Sequence, residues 1–207
     1  MSDKTSLLTD ERRDALQEVV NIAMGQAGSS LASIVNEFVE LSIPQFHLAR
    51  AEGQLLALKS RPEHQQNAVI IRQPFIGQLR GEAFVLINAP DIRYLAGIMG
   101  YQGELNTPQE QELLLDIGNV IAGACLNGLA GQLDFQISYA APAVYSMQGS
   151  LAALLDAQTG NWPYALLMEI RFRLTEHSFT SHLIFMMTED SIDPLTAAID
   201  RLLSELQ

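Results

Sequence analysis

The chain has 207 residues, 48% of them hydrophobic and 17% charged, a composition that predicts an ordered globule with a sizeable core. Its net charge of −12 disfavours attraction to nucleic acid or anionic lipid, so we expect neither as a partner. No apolar run approaches the ~20 residues that a membrane-spanning helix needs, so we expect no membrane insertion. One cysteine, Cys125, excludes an internal disulfide, and the four histidines share no metal-ligand spacing, so we expect no metal of the chain's own.

The first predicted element is a long helix over Asp10–Val39. Thr9 suits its N-cap, and Asp10 and Glu11 place negative charge in the first turn, where the helix dipole favours it. The residues before it show neither a basic region nor the apolar stretch of a signal peptide, and we expect a cytoplasmic protein.

Strands and two further helices follow the first helix. The second long helix is predicted over Pro108–Leu133, with Thr107–Glu110 as its capping box, and a closing helix over Ser191–Leu206. The strand candidates are Phe46–Leu58, Ala68–Arg72, Gly81–Ile87, Ile137–Leu155, Tyr164–Leu174 and Phe179–Met187. The polar stretches Ser60–Asn67 and Ala157–Pro163 are predicted to be exposed connections.

The two halves of the chain repeat one another. When Asn21 is aligned with Asn119, the match continues without a gap through the helix and into the next element. The aligned pairs are Glu18 with Asp116, Gly25 with Gly123, Leu31 with Leu129 and Pro44 with Pro142. We therefore predict one domain over residues 1–207, built from repeats at about 9–103 and 107–206.

Each long helix carries a polar stripe opposite its apolar face, at about 100° per residue. The stripes comprise Asp14, Glu18, Asn21 and Gly25 on the first helix, where Gly28 continues the stripe, and Glu112, Asp116, Asn119 and Gly123 on the second. Glycine costs about 1 kcal/mol relative to alanine inside a helix, so these glycines indicate either close approach of a partner or tight helix packing. One stripe alone is typical of a solvated face, but its recurrence with a carboxylate and an amide favours a functional surface.

These residues resemble the active-site pattern of the CheC, CheX and FliY phosphatases, Asp/Ser-x3-Glu-x2-Asn-x22-Pro. The first copy matches at all four positions, which are Asp14, Glu18, Asn21 and Pro44. The second copy consists of Glu112, Asp116, Asn119 and Pro142. It keeps the asparagine and the proline but has Glu and Asp where the first has Asp and Glu, so we expect this second candidate site to be the weaker one.

The resemblance implies an α/β (α+β) fold and a signalling function. The fold would be a pseudo-twofold domain with a six-stranded, largely antiparallel sheet flanked by helices, and with the two long helices side by side. The function would be hydrolysis of the phosphoaspartate on a CheY-like receiver domain in chemotaxis or related two-component signalling. The chain would need no cofactor of its own, because the receiver supplies its own magnesium ion and lysine.

The resemblance also implies a role for each residue of the pattern. Asn21 would position the attacking water, because a neutral amide can bond water without repelling the phosphoryl oxygens. Glu18 would contact the receiver's lysine and Asp14 would support docking. The two prolines, Pro44 and Pro142, would shape the turn that enters the first strand of each repeat.

Two other functions remain open at this point. A noncatalytic adaptor could use the same helix to bind and sequester a phosphorylated receiver, and a component associated with the flagellar switch could share the fold. Some family members bind the deamidase CheD, which makes a CheD-like protein a further candidate partner.

Overall fold

The computed structural model describes residues 8–41, 45–50, 62–103, 106–158, 164–173 and 178–205. The helices are α1 (Asp10–Val35), α2 (Ala89–Ile98), α3 (Thr107–Leu133), α4 (Leu151–Gln158) and α5 (Ile192–Glu205), with short 3-10 helices at Pro62–Gln65 and Glu189–Ser191. The strands are β1 (Glu40–Leu41), β2 (Gln45–Arg50), β3 (Ala68–Gly77), β4 (Gly81–Asn88), β5 (Ile137–Tyr139), β6 (Ala143–Gly149), β7 (Tyr164–Arg173) and β8 (Ser178–Met187).

The described strands form one antiparallel sheet in the order β1-β7-β8-β4-β3-β5. β2 also pairs with β7, and β6 also pairs with β3, so each edge of the six-strand path holds two successive strands. The predicted fold class is confirmed. The first strands of each repeat pair with a strand of the other repeat, which interleaves the two halves.

Helices α1 and α3 lie side by side, as predicted, and cover one face of the sheet. Gly128 permits their close approach, because a Cβ there would lie 2.5 Å from Ala23 Cα. Cys125 Sγ donates a hydrogen bond to Met24 Sδ at 3.4 Å across the same contact. Burial raises the pKa of the Cys125 thiol, which fits a packing role and not a reactive one.

The opposite face of the sheet has its own apolar layer, closed by α4. Leu151, Leu154 and Leu155 of this helix are buried with Phe84 and Ile184. The strand prediction over Ile137–Leu155 was therefore wrong beyond Gly149, because α4 begins at Leu151. The single predicted strand is divided into β5, β6 and a helix.

The ends of the long helices differ in detail from the prediction. Thr9 is the N-cap of α1, and its hydroxyl accepts a hydrogen bond from Arg12 N at 3.3 Å. The N-cap of α3 is Asn106 and not Thr107, with a capping box between Asn106 and Gln109. Helix α1 ends at Val35 instead of Val39 because Asn36 adopts the left-handed conformation, at φ 53°.

The structure also bears on one predicted connection and one predicted strand. The Ser60–Asn67 stretch is not simply exposed, because His64 within it is buried and packs edge-on against His182. The predicted strand Phe46–Leu58 is seen as β2, and its residues beyond Arg50 lie outside the described residues.

Among the described residues, one helix, α3, is long and apolar enough to span a bilayer. Of its most apolar stretch, 61% is buried inside the protein, against α1 and the sheet. This burial is typical of the core helix of a soluble protein.

Candidate functional site

The polar stripe of α1 lies on an open helix surface. Its opposite face is fully buried, with Leu16, Val20 and Ala23 each 0% exposed. Asp14 and Glu18 are exposed and Asn21 is half-buried at the edge of the packed face. Amphipathicity thus orients the stripe, since burying the apolar face fixes which side meets solvent.

The Asn21 side chain is held by its own helix. Gln17, one turn earlier, donates a hydrogen bond from Nε2 to Asn21 Oδ1 at 2.9 Å. An amide oxygen has two lone pairs and the amide nitrogen two hydrogens, so Asn21 can still accept from water and donate to a neighbouring oxygen. Gln17 was not singled out from the sequence, although i, i+4 amide pairs are a known helix interaction.

The polar stripe of α3 also faces outward, with Glu112, Asp116 and Asn119 exposed. Asn119, however, is anchored from the sheet. Gln73 in β3 is 1% exposed, and its Nε2 donates to Asn119 Oδ1 and to the Ala140 carbonyl, both at 3.0 Å. The sequence pattern could have drawn attention to Gln73, because it is the polar residue among alternating apolar positions that face the helices.

The two stripe glycines, predicted to be alike, differ in what covers them. Gly25 is exposed, and a Cβ there would meet nothing within 4 Å. Gly123 is buried, and a Cβ there would lie 3.4 Å from the hydroxyl of Tyr139. The open stripe predicted for both helices is therefore seen on α1 as far as Gly25. The prediction was wrong for Gly28, which is buried where Leu41 packs against it, and on α3 the stripe is covered at Gly123.

Of the two prolines of the pattern, the structure describes one. Pro142 is half-buried between β5 and β6, where a proline can turn the chain from one strand to the next. Pro44 lies outside the described residues.

A bidentate salt bridge joins the start of α1 to the closing helix α5. Arg12 Nε and Nη2 donate to the two carboxylate oxygens of Asp200 at 2.7 and 2.6 Å. The hydrogen bonds from Arg12 lower the pKa of the Asp200 carboxyl below its ordinary value. The ion pair links the end of the helix that carries Asp14 and Glu18 to α5 at the protein surface.

Two concave regions of the described chain are lined by residues outside the stripes. A groove of about 460 Å³ runs past Pro74, Arg80, Glu82 and Tyr139 at one end of the sheet, and a smaller apolar one lies within the core. Within the described ranges, no three His, Cys, Asp or Glu side chains group as metal ligands would. Side chains on an open helix suit a macromolecular partner better than a small molecule, which is normally held in a concave pocket.

Comparison with known proteins identifies the fold. No family model matches the chain. The structure of FliY from Thermotoga maritima superimposes with a TM-score of 0.71 at 16% identity, covering 95% of this chain and 99% of that chain. The FliM middle domain from H. pylori gives a TM-score of 0.61 at 10% identity, covering 92% and 99%.

A third similar structure is the CheX-CheY-BeF3-Mg+2 complex from Borrelia burgdorferi. Its TM-score is 0.51 at 13% identity, with 83% of this chain and 98% of that chain covered. Similarity at these identities establishes the fold and not the activity. The chain adopts the CheC/CheX/FliY fold.

Proposed function

We propose that this protein is a cytoplasmic phosphatase that hydrolyses the phosphoaspartate of a CheY-like receiver domain. The observation that carries the proposal is the placement of Glu18 and Asn21 one turn apart on an open helix face, with Asn21 oriented by Gln17. CheX, a protein of similar fold, has been solved in a CheX-CheY-BeF3-Mg+2 complex, which supports a receiver as the partner.

The chemistry asks little of the phosphatase. Water attacks phosphorus, the bond between phosphorus and the aspartate oxygen breaks, and aspartate and inorganic phosphate are released, with the water proton passing to phosphate or solvent. Catalysis of such a transfer is mostly positioning and charge stabilisation. The receiver's magnesium ion and lysine would stabilise the negative charge on the phosphoryl oxygens. Asn21 accepts a hydrogen bond from the attacking water and holds it in line with the phosphorus–aspartate bond.

Glu18 is an anchor in this mechanism and not a general base. Its carboxylate, exposed one turn before Asn21, pairs with the receiver's lysine and fixes how the helix docks. Asp14, one further turn back, adds negative charge to the same surface. The absence of a side chain at Gly25 leaves room for the receiver's backbone beside the amide.

The test is phosphate release from a panel of phosphorylated receivers from the same organism. We expect substoichiometric protein to accelerate release in a saturable way. Asn21→Ala should lower the maximal rate by on the order of 10² to 10³, as removal of one positioned polar group does in other enzymes. Gln26→Ala, which removes another exposed amide from the same helix, is the control and should keep the rate. An unchanged rate in Asn21→Ala combined with Asn119→Ala would refute the catalytic assignment.

A noncatalytic binding module is the second candidate. It is favoured by the similarity to FliM middle domains, including the FliM of an H. pylori complex with FliG, which has a TM-score of 0.60. Such a module would bind the receiver or a flagellar switch protein without accelerating hydrolysis of the phosphoaspartate. The phosphate-release assay separates the two, and a CheD-like deamidase is a further partner to assay on the family resemblance alone.

A further inference from the structure

The strand that follows each long helix places a different side chain beside the stripe. Leu41 in β1 and Tyr139 in β5 are equivalent positions in the repeat alignment. Leu41 is half-buried and reaches α1 at Gly28, where an added Cβ would collide with Leu41 Cδ1. Gly28 therefore accommodates Leu41, and the neighbouring Gly25 stays open.

The second repeat reverses the sizes at this pair of positions. Leu126 stands where the first repeat has Gly28, and its side chain is 1% exposed. Because Leu126 fills the helix side on which Leu41 rests in the first repeat, the side chain from β5 takes another path. Tyr139 lies over the stripe, with Cε2 and Cζ 3.6 Å from the Cβ position of Gly123.

A hydrogen bond holds Tyr139 in this place. Asn127 Nδ2, one turn beyond Gly123 on α3, donates to the Tyr139 hydroxyl at 3.0 Å. The ring thus covers the part of the stripe that begins one turn after Asn119. The equivalent part of α1, at Gly25 and Ser29, is exposed.

We propose that Tyr139 closes the second helix face to a receiver, so that the face of Asn21 alone is open. The inference rests on the proposed function, because it concerns the same kind of docking. A receiver that follows the stripe of α3 as it would that of α1 meets the Tyr139 ring. Tyr139 is then a specificity-determining residue that acts by exclusion and touches no reacting atom.

The cover can be tested without a receiver, by thiol labelling of Gly25→Cys and Gly123→Cys. The native Cys125 is buried and contributes little background. We expect the thiol at position 123 to react roughly 5- to 30-fold more slowly, the population change that accompanies loss of one hydrogen bond and a ring contact. Tyr139→Ser added to Gly123→Cys should remove most of this difference. Equal labelling rates at positions 25 and 123 would overturn the claim that Tyr139 covers position 123.

The consequence for docking is tested by the binding stoichiometry of a CheY-like receiver loaded with beryllofluoride and magnesium. We expect one receiver per wild-type chain and two per Tyr139→Ser chain. Tyr145→Ser, which removes a similarly exposed tyrosine from β6, is the control and should leave the number at one. Two receivers on the wild type, or one on Tyr139→Ser, would overturn the inference. If the wild type binds none, the proposed function fails, and the labelling ratio alone then decides whether Tyr139 covers the face.

Discussion

Asn21 and Asn119 occupy equivalent positions, yet their amides are held by different neighbours. The partner of Asn21 is Gln17, half-buried on the same helix, so this bond can open without disturbing the core. The partner of Asn119 is Gln73, buried in the sheet and bonded to the Ala140 carbonyl as well. One amide is oriented by local helix geometry and the other by tertiary structure.

Glu18 is expected to control docking more than chemistry. Glu18→Gln keeps the size of the side chain and removes its charge, so the receiver concentration at half-saturation should rise roughly 10- to 100-fold, as for loss of a hydrogen bond to a charged group. Glu11→Gln, in the first turn of the same helix, is the charge-matched control and should change it little. If only the maximal rate falls, Glu18 is not the anchor.

Gln73 is expected to stabilise the fold at the second site without serving the first. Gln73→Met loses the bonds to Asn119 and Ala140, but it also removes Oε1, a buried acceptor without a partner among the described residues. The net loss in free energy of unfolding should be about 1 to 2 kcal/mol, measured in urea. Gln148→Met, on an exposed position of β6, should lose less. A more stable Gln73→Met protein would show that burying the amide destabilises the fold by more than its two hydrogen bonds stabilise it.

At the scale of single elements, glycines on the two long helices have different tasks. Gly25 has open space where a Cβ would stand, whereas Gly128 lies against Ala23 at the contact between α1 and α3. Identical residues thus mark an open surface on one helix and a packed contact on the other.

Alanine substitutions should separate these tasks. Gly25→Ala should raise the free energy of unfolding by about 0.5 to 1 kcal/mol, because alanine favours the helix and meets no neighbour. Gly128→Ala should lower it by about 1 to 3 kcal/mol through overpacking. If Gly25→Ala also raises the half-saturating receiver concentration, the partner approaches at this position; a destabilised Gly25→Ala protein would contradict the open surface.

The sequence predicted elements best where local rules decide them. The N-cap at Thr9 and the buried face of α1 follow from short-range chemistry and a period of 3.6 residues, and the structure confirms both. Helix α4 was mistaken for a strand because Leu151–Leu155 is a short apolar run, which fits either structure. Gln73 and Tyr139 could not be placed beside α3 from sequence, since only the fold brings β3 and β5 to that helix.

At the scale of the whole molecule, the order of the strands interleaves the repeats. β1 and β2 of the first repeat pair with β7 of the second, and β5 and β6 of the second pair with β3 of the first. Removing either half would leave the other with an unpaired sheet edge and an uncovered long helix. The duplication is therefore visible in sequence as two units, whereas the core is shared by both.

This arrangement predicts that the chain unfolds in one step, as a single domain would. Two independent repeats would lose structure at different urea concentrations, but here neither repeat can keep its edge strands without the other. We expect far-UV circular dichroism, which follows helices of both repeats, and near-UV circular dichroism, to which the buried Tyr164 of the second repeat contributes, to give the same midpoint. Fragments 1–105 and 106–207 should each be unfolded alone and should regain helix content when mixed. Separate midpoints, or a folded fragment, would show that the repeats are two domains that merely adjoin.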